Sequence, residues 1–170
     1  MDRLPVETAG GDTAAWEHTL GQIVAGHASG GLTAGLQDDP GTAINRKLAT
    51  SVRIGVVKDS LRLTYRMLTV EVGTEGTEQI LHRFIDEIPA QPVALDEARQ
   101  FVEWLVVDEP EIGDVTEVIA FEVVTIDAQL SGEAQTVVFN RDPIELLEAL
   151  GAGTLPSQRT PGEYVLEVTP

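Results

Sequence analysis

Apolar residues recur every three or four positions through most of the first 128 residues and every second position in the last stretch of the chain, with the change at Ser131-Gly132. A repeat of 3.6 describes a helix with one buried face, and a repeat of two describes a strand with one buried face. The expected fold class is therefore α+β: a mainly helical N-terminal part over residues 13–128, then a small C-terminal α+β unit of short strands and one helix over residues 129–170. In the helical part, Trp16, Leu20, Ile23, Val24 and His27 share one face after Asp12 or Thr13, either of which can cap the start. A connection containing Gly26, Gly30, Gly31, Gly35 and Asp39-Pro40-Gly41 follows, too poor in helix formers to continue that helix. It lacks the Gly-Lys-Ser/Thr ending of a phosphate loop and reads as a linker.

Ile44, Leu48, Val52 and Val56 predict one buried helical face, and Leu61, Tyr65, Leu68 and Val72 a second one rotated from it. The change near Lys58-Asp59-Ser60 requires a kink or a new helix. Two further amphipathic helices are predicted, from Thr77 to a stop before Pro89, and from Asp96 to Leu105. Asp114 and Glu117 have capping-box spacing and open a helix carrying Val115, Val118, Ile119 and Ile126. Glu122 falls on the same face, and must either find a partner, with Arg66 and Arg99 as candidates, or have its pKa raised by desolvation. A strand over Phe121 to Ile126 is the competing assignment, and the capping box favours the helix. In the tail, Gln135 to Phe139 and Gly162 to Val168 read as strands. Between them Asp142-Pro143-Ile144-Glu145 starts a helix that carries Ile144, Leu147 and Leu150 and ends on Gly151 as a left-handed cap.

Charge narrows the function classes. The 170 residues include 11 Lys+Arg and 28 Asp+Glu, a formal charge of −17, and the 42% of hydrophobic residues is enough for a packed core. From Pro40 to Val70 six basic residues (Arg46, Lys47, Arg53, Lys58, Arg62 and Arg66) face Asp59 alone, a local charge of +5. From Glu71 to Glu133 the balance is −14. An acidic body opposes approach to DNA or RNA, so nucleic-acid binding is not expected. A basic strip on such a body suits an acidic peptide or protein partner, or simply lies on solvated helix faces. Met1-Asp2-Arg3-Leu4-Pro5 has no basic stretch leading into an apolar run, and no segment approaches the roughly 18 apolar residues that cross a bilayer. A soluble, cytoplasmic protein without a membrane partner is expected.

The inventory for catalysis is thin. There is no cysteine, and the only histidines, His18, His27 and His82, form no His-x-x-x-His or Glu-x-x-His pair. Glu78, His82 and Asp86 stack at helical spacing, a triplet that acidic helices generate freely on a solvated face, so no metal is assigned. Asp108, Glu109 and Glu111 beside Pro110 read as exposed loop charges. No catalytic residue, cofactor or enzymatic activity is expected.

The order of features resembles a known family. Tyr65-Arg66-Met67-Leu68, a helix ending in Ile88-Pro89, Phe101 with Trp104, and Phe121-Glu122 within 114–128 are followed by Asp142-Pro143, Leu146-Leu147, Ala149-Leu150 and Pro161-Gly162-Glu163-Tyr164. In this order, over roughly Ser60 to Pro170, they resemble the small partner proteins of multinuclear non-haem iron-dependent oxidases (MNIO) in ribosomal peptide (RiPP) maturation, of which methanobactin-type maturation is an example. The resemblance implies a helical domain that packs on the iron enzyme and a C-terminal α+β portion that recognises the leader of a precursor peptide. Iron ligands and redox chemistry then belong to the oxidase. The region before Ser60 departs from the pattern. On this reading the chain is a non-catalytic adaptor for an oxidase and a precursor peptide. Arg62, Arg66 and Trp104 are the candidate partner-binding residues, Trp104 as an interface anchor or a core residue. The candidate peptide-binding residues are Gln135, Thr136, Val137, Val138, Phe139 and Arg141, because an extended leader can add along a strand edge and pair its acidic residues with Arg141, Arg159, Arg62 or Arg66. The alternative is a stand-alone acidic helical domain with a ligand pocket between helices.

Overall fold

The computed structural model describes residues 40–108 and 115–170. The expected helix at 13–27, the glycine-rich connection up to Asp39, the loop carboxylates Glu109 and Glu111, and Asp114 of the capping box lie outside the described residues, whereas Pro40 and Gly41, expected in that connection, open a helix. Among the described residues there are five helices and two strands, in the order α1 (Pro40–Ser60), α2 (Arg62–Glu87), α3 (Ala94–Asp108), α4 (Val115–Ser131), β1 (Gln135–Arg141), α5 (Pro143–Gly151) and β2 (Pro161–Val168). The architecture is α+β, mainly helical with a two-stranded antiparallel sheet near the C-terminus. The chain divides into two compact units, Met1–Val52 and Arg53–Pro170.

In the first unit the described residues are the opening turns of α1. Ile44, Leu48 and Val52, expected as a buried face, are exposed there. The buried hydrophobic residues of this stretch of sequence come later and on a different line, at Val57 and Leu61, with Val56 only half-buried. Periodicity finds a line of apolar residues, but not what lies against it.

In the second unit one core collects Leu61, Met67, Leu68, Phe84, Phe101 and Leu105 from the helices, and Leu146 and Leu150 from α5. Phe84 and Phe101 meet edge to face with centroids 5.1 Å apart, and Phe101 stacks on Trp104 at 6.2 Å. Phe121 of α4 lies 6.2 Å from Phe139 of β1. The helices and the C-terminal α+β residues thus share a unit, and the division expected at 128/129 falls inside it.

The helix punctuation has local causes. Leu61 breaks α1 from α2 with φ −123° and ψ 57°. Gly73 interrupts α2 with φ 77° and ψ 168°, a conformation that carries no penalty only for glycine, and the Thr77 hydroxyl donates to the Gly73 carbonyl at 2.8 Å. This break separates the two runs that the sequence predicts as distinct helices. α2 stops at Glu87, before Pro89. Phe121 to Ile126 is helical, inside α4. Asp142 caps α5 by accepting from the Ile144 N–H at 2.9 Å, with Pro143 next to it. The left-handed residue after α5 is Gly153 (φ 74°) and not Gly151, because the chain passes through Ala152 in right-handed geometry first.

Candidate functional site

The β1–β2 ribbon is built by alternation. Val137 pairs with Leu166 and Phe139 with Tyr164 on one face; Thr136 pairs with Glu167 and Val138 with Val165 on the other. On the first face Val137 and Phe139 are buried, and the Phe139 ring meets Phe121 of α4. On the second face Val138 is 53% exposed and Val165 60%. The sequence-predicted peptide residues therefore divide. Val137 and Phe139 point their side chains into the protein, whereas Thr136, Val138 and Arg141 are exposed and Gln135 is half-buried. Among the described residues the sheet has no third strand.

One end of the ribbon is pinned by an ion pair. Arg159, 8% exposed, donates to Glu117 of α4 at 2.6 Å and to the carbonyls of Asp142 and Arg141 at 3.3 and 3.2 Å. Glu117 in turn accepts from the Asn140 N–H at 3.1 Å. Arg159 is thus committed inside the protein, which removes it from the side chains expected to pair with a leader. Its partner was hidden in the sequence, where Glu117 reads as half of a capping box.

Three of the six residues of the basic strip, Arg53, Lys58 and Arg66, also have partners within the protein. Arg53 donates to Glu97 at 2.6 Å and to the carbonyls of Ile85 and Ile88 at 3.1 and 2.8 Å, at the end of α2 where helix carbonyls lack intrahelical partners. Glu97, buried, also accepts from the Gln91 N–H at 2.7 Å. Lys58 binds Glu78 at 2.5 Å and lies over the Tyr65 ring. Arg66, a candidate partner residue, donates to the carbonyls of Leu150 and Gly151 at the end of α5, at 3.0 and 3.3 Å. Arg62 is exposed. Trp104 is buried, donating from Nε1 to Glu87 at 2.8 Å with Arg83 over its ring. Of the two roles open to it from sequence, its position is that of the core residue.

Glu122 is 7% exposed and meets neither Arg66 nor Arg99. Arg99 pairs with Asp127. The Glu122 carboxylate instead accepts the N–H groups of Leu63 and Thr64, both at 2.8 Å, at the first turn of α2. Burial raises its pKa, and the hydrogen bonds at Leu63 and Thr64 offset part of that rise. Beside it an open cleft of about 360 Å³ is lined by polar Asp59, Ser60, Thr125 and Gln129 and apolar Leu63 and Leu95, among others. Among the described residues no group of three or more His, Asp and Glu side chains is placed to hold a metal ion. Among the described residues no helix is long and apolar enough to cross a membrane.

No family model, curated protein or solved structure matches the chain.

Proposed function

We propose that the chain is a non-catalytic adaptor that binds an iron-dependent peptide-modifying oxidase through its helices and presents a ribosomally made precursor peptide to it. The observation that carries this reading is the β1–β2 ribbon: a two-strand sheet fixed on a helical body by Phe139 and the Glu117–Arg159 pair, with one face exposed. Such a sheet can accept a third strand, with main-chain hydrogen bonds supplying affinity and alternate side chains supplying selectivity. The order of motifs from Tyr65 to Tyr164, which resembles the small partners of multinuclear non-haem iron oxidases, supports the choice of enzyme. Exposed Arg62 and the helical surface are the proposed contact with it, and the cytoplasm the proposed compartment. Co-expression with such an oxidase and its precursor tests the reading. Retention of the oxidase on the tagged chain, and loss of peptide modification when the chain is omitted, are expected. An oxidase that works fully without it would remove the adaptor role.

The cleft beside Glu122 favours a second reading, a small-ligand-binding domain. A change in thermal stability with a small amphipathic amine, abolished by Gln129→Leu, is its signature.

A further inference from the structure

The two strands of the ribbon differ as docking edges. β1 is the strand held to α4, through the Phe121–Phe139 ring contact and the Asn140 N–H donated to Glu117. β2 is the more open: its residues alternate between exposed and half-buried, and none is fully buried. Its exposed face carries Glu163, Val165 and Glu167 in succession, and no basic residue occurs between Pro161 and Val168. Glutamates on an edge strand discourage pairing with acidic strands, because like charges directly opposite each other repel. They select the opposite sign. A strand added along β2 places its residues on that face directly opposite these three, with Cβ atoms about 5 Å apart.

We infer that the outer edge of β2, which pairs with no strand among the described residues, takes an extended peptide segment of the pattern basic–x–apolar–x–basic, its two cations opposite Glu163 and Glu167 and its apolar side chain on Val165. This rests on the adaptor reading for its biological occupant, and moves peptide docking from the β1 edge expected from sequence to β2. The side chains of Val137 and Phe139 in β1 are occupied in the core. The Glu–Val–Glu order is the same read from either end, so the pattern fixes the composition of the peptide and not its direction. The neighbouring Val138, cross-strand from Val165, widens the apolar contact.

The test uses the full chain and two labelled nine-residue synthetic peptides, one containing Lys-x-Val-x-Lys and one Glu-x-Val-x-Glu, titrated by fluorescence anisotropy at low salt. The basic peptide should bind about five- to tenfold more tightly than the acidic one, as two exposed cross-strand pairs allow, and the margin should shrink as salt rises. The Glu163→Lys/Glu167→Lys double variant, altered only at exposed positions, should reverse the order, and Glu163→Gln/Glu167→Gln should level it. Backbone amide shifts should move at Glu163, Val165 and Glu167. Absence of binding by both peptides, a preference that survives the double Lys variant, or shifts confined to Thr136 and Val138 would each overturn the assignment. Charge-selective binding by a chain that retains no oxidase would sink the adaptor reading and leave this edge in place. Oxidase retention with no charge preference would do the reverse.

Discussion

The Glu122 carboxylate does for α2 what a serine or aspartate at its own N-cap would do. Leu61, the residue in that position, has no side chain able to accept a hydrogen bond, and a residue 59 positions from Leu63 in sequence supplies the acceptor. Glu122→Ala should destabilise by roughly 1–3 kcal/mol, since two N–H groups lose their partner, and Glu122→Gln should cost less. The titration has a definite sign. Because burial holds the carboxyl above its ordinary value of 4.5, the folded state binds the proton more tightly than the unfolded one. The proton-linked part of the stability is then fully present below the unfolded pKa and lost as pH rises through the folded one. Thermal melts of wild type and Glu122→Gln across this range should show wild type losing ground to the variant as pH rises. A constant difference would contradict the assignment. Arg53 is the second residue of this kind. Arg53→Met strands Glu97 in the interior and leaves the carbonyls of Ile85 and Ile88 without a donor, which should cost about 3 kcal/mol in chemical denaturation.

At the scale of elements, Gly73 and Gly55 form a matched pair. Neither would meet an atom within 4 Å if given a Cβ, but only Gly73 has positive φ. Gly73→Ala should therefore destabilise by roughly 1–3 kcal/mol through backbone strain alone. Gly55→Ala, inside α1, should be neutral or stabilising by up to about 1 kcal/mol. Equal denaturation midpoints for the two variants would remove strain as the explanation. Elements whose causes are local were legible in the sequence: the stop of α2 before Pro89, the Asp142-Pro143 start of α5, and both strands. The break at Leu61 could be placed only to within a few residues, because no capping side chain marks it. Features set by distant partners were not legible. Nothing near Glu117 announces Arg159, and nothing near Glu122 announces the first turn of α2. For the same reason the ribbon could be placed but the face it buries could not, since Phe139 looks free until Phe121 of α4 is seen beside it.

At the scale of the whole molecule, Arg53–Pro170 should unfold as one cooperative body. Phe101→Ala in the helices and Phe139→Ala in the sheet each remove a fully buried ring, at about 3–5 kcal/mol. Each should shift the far-ultraviolet and near-ultraviolet dichroism transitions together. Two separated transitions would restore the boundary at 128/129. The capping of α2 by α4 also has a consequence in time. The Leu63 and Thr64 amide protons lack their acceptor until a segment some sixty residues further along the chain has docked, so the start of α2 should become ordered late in folding. A nascent chain halted before α4 should carry a frayed start to α2, and pulsed hydrogen exchange should find Leu63 and Thr64 gaining protection in step with the amides of α4 rather than with the rest of their own helix.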